Sequence, residues 1–586
     1  MILRRLSTEL CGTVAELQTV VGLACHKVSG SARSVEMSLS RSMRWWATQL
    51  RNRIYNRWFC KPDRNARADE RWWELDVGQK TAYQRAMARE CSELDLVDDR
   101  TWSDLEMEKI FARFDRSLTP LGTQYLYALL RIYRDGGMAL QENITTCRQF
   151  QENAGAAKAL RASLKGLNHK SSADVADFLF GPAPEIPSRH RLFYLLSAVS
   201  ILCTLGLFGS WIFLFPLLSC WILNVILHSV FSRSICRHAP GLASVAALLQ
   251  CVAEISRTLG GSKWPEAREL EAFTEVAGQL QKKVSRTFLR QEGGNDLAVA
   301  LTEYLNLLCL FELSASCRAI EAVNEQRAAL REIFRIIARL DAFHGLSSAL
   351  AEYPLLCVPE FQESRAFAFD DVYHPLVHDA VRNTIHSGGN SILVSGTNMA
   401  GKTTFMKTLG VNVLLAQTVG LCLAGRATLP LVRVKTLIER VDAVTAGQSY
   451  FFFEATELLR LLKDAERTGC EFWFVIDEIF RGTNTVERVA AGAAVLRHLT
   501  GGSFVIASTH DHELADLLRG EFDFYHFSEV VARSEARFDY TLRKGPCKSR
   551  NAIKLLALAG YPTTVTEFAE KLANRTSNIP VRPITV

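Results

Sequence analysis

The spacing of hydrophobic residues divides the chain into helical regions and a mixed region. From about residue 74 to residue 180, and again from 234 to about 350, apolar residues recur three and four positions apart, which predicts amphipathic helices. Past residue 351, short β-rich runs alternate with helical segments, which is typical of a parallel sheet with crossover helices. The pattern predicts a multidomain chain that is mainly α-helical at first and α/β in its carboxy-terminal domain.

One long segment between the helical regions has no charged residue. No Asp, Glu, Lys or Arg occurs from Leu192 to Ser232, about twice the roughly 20 apolar residues that one membrane span needs. Because glycines and a proline interrupt its middle, the segment predicts a transmembrane hairpin with helices at roughly 192–208 and 211–231. Arginines flank both ends, so a multi-pass protein of the inner (cytoplasmic) membrane is expected, with both large parts in the cytoplasm. The alternative is a pair of core helices in a soluble protein.

A basic and aromatic segment, residues 41–73, precedes the first helical region. Nine arginines and lysines alternate there with five tryptophans. Such a segment is suited to anionic lipid headgroups, and equally to nucleic-acid phosphates and bases. The simplest alternative is a solvated helix that packs its tryptophans on the next element. The candidate DNA contacts within it are Arg51, Arg53 and Arg57.

Composition narrows the class of protein without identifying its chemistry. With 48% hydrophobic and 22% charged residues in 586, the chain is globular, which excludes wholesale disorder, collagen and a coiled-coil rod. A net charge of +6 is too small to indicate a nucleic-acid protein by itself. The 15 cysteines are scattered without metal-ligand spacing, so we expect reduced thiols rather than a disulfide framework or a structural zinc site.

The strongest chemical motif follows the apolar run Ser391–Ser395 and precedes a helical segment. It reads G-x-x-x-x-G-K-T, and its glycines allow backbone N–H groups to surround phosphates at a helix N-terminus. Lys402 is expected to reach the β- and γ-phosphates of ATP, and Thr403 to place its hydroxyl on Mg²⁺. The nucleotide-binding candidates are Gly396, Thr397, Asn398, Met399, Ala400, Gly401, Lys402, Thr403 and Thr404.

Two further apolar runs end in residues that complete such a site. Phe472–Ile476 leads into Asp477 and Glu478, which we expect to act as a Mg²⁺ ligand and as the base or orienter for the attacking water. Ser503–Ala507 leads to His510, a candidate contact for the γ-phosphate. Lys402, Glu478 and His510 are therefore the predicted catalytic residues.

These motifs together resemble the MutS family of DNA mismatch-repair ATPases, within the broader ABC-type ATPases. The phosphate loop, the segment Asp477–Thr485, the segment Ser508–Leu514 and the stretch Ala446–Glu454 are each similar to a family motif. Weaker similarity to the family's helical lever begins at Asp115. The resemblance is good over roughly 335–565, patchy over 101–131 and absent elsewhere.

The resemblance implies a P-loop ATPase that binds DNA and forms a homodimer with composite ATP sites. Ser449, with Gly447, is then expected to touch the γ-phosphate held by the opposite subunit. The expected regions are 1–100, N-terminal and helical; 101–190, first part of the lever; 191–233, membrane hairpin; 234–350, second part of the lever; and 351–586, ATPase domain.

Departures from the family pattern bear on what the protein recognises. No Phe-x-Glu wedge of the family's mismatch-reading domain precedes the lever, and the hairpin stands where relatives have a DNA clamp. Phe480 and Asn484 replace a usual glycine and serine, and Ala380 stands where an adenine-stacking aromatic is expected. We therefore expect a membrane-tethered, MutS-like ATPase that senses mismatched or structured DNA. The alternatives are an ABC-type membrane transport ATPase and an ATP-switched scaffold without DNA specificity.

Overall fold

The computed structural model describes residues 73–576, apart from positions 135, 137, 189, 260–263, 286–307, 398–399, 439–449, 468–469, 481–483, 532–535, 547–552, 554–555 and 557–559. Arg51, Arg53 and Arg57, and with them nearly all of the basic segment, lie outside the described residues. The chain divides into two units. The first comprises Met1–Glu70, Arg191–Cys236 and Gly294–Leu313, and the second contains the remaining residues.

The first unit contains the two apolar helices of the predicted hairpin. Helix α9 spans Arg191–Gly206 and helix α10 spans Leu214–Cys236. The second helix begins later than predicted because the Ser210 side chain accepts from Ile212 N and starts a separate 3₁₀ turn, Trp211–Phe213. Pro216 lies in the first turn of α10, where its missing N–H removes no helical hydrogen bond.

The two helices of this unit contact each other through small and polar side chains and through the ring pair Phe193–Phe231. Asn224 is fully buried, and its amide donates to Ser200 Oγ at 3.2 Å. Large apolar side chains cover the outside, where Leu195 is 60% exposed, Phe208 91% and Val230 62%. This is the reverse of a water-soluble helix pair, which buries its large apolar residues.

Two helices in the described part of the chain are long and apolar enough to cross a membrane. In the apolar 18-residue stretch of Trp211–Ser232, 17% of the residues are buried, whereas 50% are buried in that of Ala239–Leu259, which belongs to the second unit. Arg191–Gly206 is apolar but shorter. Length and composition also suit the core helix of a soluble protein, and the half-buried Ala239–Leu259 packs as one.

The helical part of the second unit is built around a long helix, α15. The helices of this part are α1 Val77–Lys80, α2 Ala82–Ala88, α3 Asp99–Asp104, α4 Met107–Phe114, α5 Pro120–Arg131, α6 Met138–Glu152, α7 Ala154–Leu164, α8 Asp174–Phe180, α11 Ala239–Leu259, α12 Pro265–Ala272, α13 Thr274–Ser285, α14 Phe311–Glu325 and α15 Arg327–Leu350. The first three residues of α14 belong to the first unit. Asp341 on α15 accepts from Thr119 N at 2.8 Å and Leu118 N at 2.9 Å, which holds the start of α5 against α15. Thr119 caps α5 and Pro120 occupies its first turn, so local sequence fixes where this helix begins.

The carboxy-terminal part of the second unit contains two sheets, which confirms the predicted α/β region. Its strands are β1 Glu360–Phe361, β2 Phe367–Val372, β3 Asn383–Ser387, β4 Ser391–Ser395, β5 Arg426–Leu429, β6 Val432–Leu437, β7 Glu471–Asp477, β8 Phe504–Thr509, β9 Phe522–Val531 and β10 Ala536–Lys544. Its helices are α16 Lys402–Thr418, α17 Tyr450–Ala465, α18 Thr485–Thr500, α19 His512–Leu517 and α20 Thr563–Thr576.

The larger sheet has the order β10-β9-β4-β8-β7-β6, and the smaller has the order β1-β5-β2-β3. All neighbours in the larger sheet are parallel except β9 and β10. Parallel strands bring their carboxyl ends to one edge, where ligands of α/β folds bind. The ends of β4, β7 and β8 therefore meet there, and these are the three strand ends that precede the predicted site residues.

The edge strand β6 is covered by residues at the start of the helical lever, on both sides of its predicted boundary at residue 101. Lys435 Nζ donates to Asp98 Oδ2 at 2.8 Å, and Thr436 Oγ1 donates to Asp104 Oδ2 at 2.8 Å. Asp104 Oδ2 also accepts from Ile438 N, the last described residue before position 439. A fully buried carboxylate thus closes the open edge of the sheet, which would otherwise expose unpaired backbone groups.

Candidate nucleotide site

The phosphate loop connects β4 to α16 and depends on two glycines in left-handed conformations. Gly396 has φ of +141° and Gly401 has φ of +99°. A Cβ at Gly396 would lie 2.6 Å from Phe527 O, so no side chain fits without moving the neighbouring strand β9. Gly401 precedes the first residue of α16, whose initial N–H groups point towards the loop. The two ends of the loop therefore have the glycine conformations that a phosphate cradle requires.

Lys402 is the first residue of α16 and is buried inside the loop. Its Nζ donates to Gly396 O at 2.9 Å and to Thr397 O at 3.0 Å, and the residue is 5% exposed. An anion in the loop would compete with these carbonyls for the ammonium group. Of the other predicted loop residues, Ala400 is buried and Thr404 is exposed, whereas Asn398 and Met399 lie outside the described residues.

The ends of β7 and β8 are joined to the first turn of α16 through Asp477. Thr403 Oγ1 donates to Asp477 Oδ2 at 2.7 Å, and Ser508 Oγ donates to Asp477 Oδ1. The hydroxyl and carboxylate oxygens of Thr403 and Asp477 are the hard donors that Mg²⁺ prefers. Within the described ranges no group of three or more His, Cys, Asp and Glu side chains could hold a metal ion. Two protein oxygens are nevertheless enough for Mg²⁺, because its remaining ligands are ordinarily water and phosphate oxygens.

Glu478 and His510 form a second pair beside the first. His510 Nε2 lies 2.8 Å from Glu478 Oε1 and, facing a carboxylate, acts as the donor. Burial lowers the pKa of His510, and the Lys402 ammonium lowers this pKa further, which favours the neutral imidazole. The Glu478 side chain is 7% exposed, and its backbone N donates to Ser508 Oγ at 3.0 Å. Ser508 thus holds the backbone of Glu478, and His510 holds its carboxylate.

Backbone strain is concentrated just after β7. Glu478 and Phe480 both have φ of +57°, which is uncommon for residues with a side chain. Phe480 is held there because its N–H donates to Glu454 Oε1 of α17 and its ring packs on Phe451. Phe480 therefore keeps the left-handed backbone conformation, although it stands where the family usually has a glycine. Asn484 acts as the N-cap of α18 by accepting from Val486 N at 3.0 Å, as a serine would.

A small cavity and an exposed ring lie beside the loop. The cavity has a volume of about 100 Å³ and is lined by Gly396, Thr397, His510 and Asp511 among others. On another side of the loop, the Tyr540 ring would lie 3.1 Å from a Cβ built on Gly401. Tyr540 is 46% exposed and has φ of +52°. It offers an aromatic surface near the loop that Ala380 does not.

The structure brings five predicted residues together: Lys402, Thr403, Asp477, Glu478 and His510. Gly447 and Ser449 lie outside the described residues, so their predicted contact with an opposite subunit stays a prediction. Sequence reasoning missed three contributors to the geometry, namely Ser508, Glu454 and Tyr540. Ser508 and Glu454 stand within stretches that match family motifs, which was the available signal, whereas Tyr540 had none.

The fold and the site together define a phosphate-loop nucleotide-binding domain on a parallel sheet. Residues 392–577 match the family MutS domain V, which confirms the predicted resemblance of the carboxy-terminal region to the MutS family.

The chain is also similar to proteins named DNA mismatch repair protein MutS. It is 29% identical over 280 residues to the DNA mismatch repair protein MutS of Parasynechococcus marenigrum, covering 46% of this chain and 31% of the relative. It is 31% identical over 269 residues to the DNA mismatch repair protein MutS of Shouchella clausii, covering 44% of this chain and 30% of the relative. The match thus spans about a third of the length of these relatives.

Proposed function

We propose that this protein is a Mg²⁺-dependent ATPase of the MutS type that is anchored in a membrane and acts on DNA. The observation that carries the ATPase part is the convergence of Lys402, the Thr403–Asp477 pair and the Glu478–His510 pair at the carboxyl ends of three neighbouring strands. A strand end that only meets solvent needs none of these side chains, whereas cleavage of a triphosphate has a use for each of them.

Binding of ATP is the first step. Lys402 leaves the carbonyls of Gly396 and Thr397 and bonds to the β- and γ-phosphates, while backbone N–H groups of the loop hold the phosphate oxygens. Thr403 and Asp477 would hold Mg²⁺, which would offset the negative charge of the phosphates. The Tyr540 ring provides a surface on which the base can stack.

Glu478 then activates the attacking water. Its carboxylate accepts the proton of the water, and the Nε2–H group of His510 keeps the carboxylate oriented. Because a neutral His510 adds no positive charge, Glu478 remains a better base than it would be beside an imidazolium. Glu454 ties α17 to the loop that follows Glu478, so a change at this site reaches the helix that starts directly after Ser449.

Two copies of the chain are proposed to close over the nucleotide, with Ser449 of each copy at the γ-phosphate of the other. Support comes from the family resemblance of the stretch 446–454. Opening and closing of this dimer would move the helical lever, because Asp104 and Asp98 bind strand β6 immediately before the segment that contains Ser449.

DNA and the membrane are the proposed partners. The relatives are named DNA mismatch repair proteins, and mismatched or structured DNA is therefore the proposed ligand. The exposed apolar side chains of α9 and α10 favour lipid around the hairpin. The arginines that flank both ends support a placement of both flanking regions on the cytoplasmic side of the inner membrane.

ATP turnover of the full-length protein in detergent, with and without homoduplex, mismatched and branched DNA, tests this proposal. We expect stimulation by mismatched or branched DNA and none in a Glu478→Gln variant. Stimulation only by a solute or peptide would instead indicate a transport ATPase. Unchanged cellular function of Glu478→Gln would indicate a scaffold that needs no turnover. Recovery of the full-length protein from cells in soluble form without detergent would refute the membrane anchor.

A further inference from the structure

Two cysteines lie directly opposite each other near the end of the lever. Cys357 follows α15 by seven residues, and Cys422 follows α16 by four. They form an isolated antiparallel bridge in which each backbone N–H donates to the carbonyl of the other residue at 2.9 Å. Both are free thiols in the structure.

The backbone pairing places the two thiols within bonding reach. Residues that exchange both hydrogen bonds in an antiparallel pair have Cα atoms about 5.5 Å apart and side chains on the same face. Disulfides need a Cα separation of roughly 4.4–6.8 Å. The Cα separation of the pair therefore suits a disulfide, which a small approach of the two Cβ atoms would close, although 65 positions separate the residues in the chain.

The two thiols differ in access and in acidity. Cys422 is fully buried, and Cys357 is partly exposed. A hydrogen bond from the Cys422 thiol lowers the pKa of Cys357, whereas burial raises the pKa of Cys422. The accessible sulfur is thus the one that forms a thiolate more readily, which is the arrangement of an attacking cysteine with a resolving partner.

We propose that Cys357 and Cys422 form an oxidation site that closes to a disulfide when the protein meets a hydroperoxide. The Cys357 thiolate attacks the peroxide oxygen, the O–O bond breaks, and a sulfenic acid forms at Cys357 with release of water from hydrogen peroxide. The sulfur of Cys422 then attacks the Cys357 sulfur and expels the sulfenic oxygen as a second water molecule. In total, two thiols and one hydrogen peroxide give one disulfide and two waters, and a small dithiol reverses the bond.

The bond would connect two mechanically important parts of the second unit. Cys422 Sγ lies 3.5 Å from Asn412 O on α16, and Asn412 Oδ1 accepts from Leu423 N at 2.7 Å. Helix α16 begins with Lys402, so oxidation would fix the chain that leaves the lever to the far end of the phosphate-loop helix. The site itself requires no nucleotide, and its existence does not rest on the proposed ATPase activity.

Peptide mass spectrometry of the full-length protein in detergent tests the site directly. The protein is treated with hydrogen peroxide, alkylated, digested without reductant and compared with a dithiothreitol-treated sample. We expect a cross-linked peptide pair containing Cys357 and Cys422 in the oxidised sample, and its loss after reduction. Cys470→Ser, which removes another partly exposed thiol, serves as the matched control and is expected to leave the cross-link unchanged.

A variant separates the two chemical steps. In Cys422→Ser, Cys357 is expected to stop at the sulfenic acid, which dimedone labels, whereas the parent protein gives the cross-link and little label. Absence of the cross-linked pair in the oxidised parent protein would overturn the proposal, as would equal dimedone labelling of Cys357 in both proteins. Because the parent protein alone gives the first result, a folding defect in the variant does not block the test.

Discussion

His510 Nε2 and Glu478 Oε1 lie 2.8 Å apart, although 32 positions separate the two residues in the chain. The contact exists because β7 and β8 are parallel neighbours whose carboxyl ends stand side by side. Ser508, two residues before His510, binds both Asp477 and the backbone of Glu478. The end of β8 thus positions two carboxylates at the end of β7: Asp477, the proposed Mg²⁺ ligand, and Glu478, the proposed base.

Glu478→Gln is expected to lower the ATP turnover rate by at least about 100-fold, because an amide cannot accept the proton of the attacking water. ATP affinity should stay within about 3-fold of the parent, since the phosphate contacts are untouched. Phosphate release and nucleotide titration measure the two quantities. Glu471→Gln, at the other end of β7, is the matched control and should retain turnover. Equal losses in both variants would contradict the role of Glu478.

Lys402→Ala should weaken ATP binding by roughly 10- to 100-fold, as expected for loss of a charge-assisted hydrogen bond. Isothermal calorimetry with Mg²⁺ and ATP measures this affinity. Lys463→Ala on α17 removes an exposed lysine of the same domain and is expected to bind like the parent. Unchanged affinity of Lys402→Ala would refute the phosphate assignment.

Gly396→Ala should destabilise the ATPase domain by about 1–3 kcal/mol and abolish nucleotide binding, because the left-handed backbone and the Phe527 carbonyl leave no room for a methyl group. Gly388→Ala is the control, since a Cβ there meets nothing within 4 Å. Chemical unfolding followed by near-ultraviolet circular dichroism compares the two. A Gly396→Ala variant as stable as Gly388→Ala would show that the loop conformation is not required.

Asp104→Ala should lower the free energy of unfolding by about 3 kcal/mol, because Thr436 Oγ1 and Ile438 N lose their acceptor in a buried position. The control is Asp99→Ala, whose side chain is 95% exposed and pairs with Arg131. That change should cost less than about 1 kcal/mol. Denaturant midpoints of both variants measure the difference, and similar midpoints would exclude Asp104 as the anchor of β6.

Two buried histidines predict loss of stability in mild acid. Burial lowers the pKa of His344 and of His374 to about 4, from an ordinary value near 6.5. As pH falls from 6.5 to 4, the unfolded chain takes up protons that the folded chain does not, so each histidine removes about 2 kcal/mol of stability between pH 7 and pH 5. Burial raises the pKa of Asp341 to about 6, which acts in the opposite direction as pH falls.

The comparison that isolates this effect is between His374→Gln and the parent protein. The variant should lose about 2 kcal/mol less than the parent between pH 7 and pH 5, as measured by denaturant unfolding at both values. His378→Gln is the matched control for removing one histidine, at an exposed position. An identical pH dependence in His374→Gln and the parent would show that His374 is not buried in its neutral form.

Part of the site could be predicted from the sequence because its motifs consist of neighbouring residues. The phosphate loop occupies nine consecutive positions between a strand and a helix, and Asp477 and Glu478 directly follow an apolar strand. The pair of apolar helices could be predicted for a similar reason, because a long segment without charged residues is visible in the composition alone. Its helix boundaries were less accurate, because capping by Ser210 delayed the start of α10.

The sequence by itself thus indicated the phosphate loop, the pair of apolar helices and the change from helical to α/β structure. Tertiary structure alone decided that Asp104 anchors a strand 332 positions away, that Tyr540 lies beside Gly401, and that Cys357 faces Cys422. The physical reason is that contacts between distant residues depend on strand order and helix packing, which leave no periodic pattern in the residues that make them. The spacing of hydrophobic residues indicates local backbone conformation and burial, whereas only the whole fold decides which distant residues contact each other.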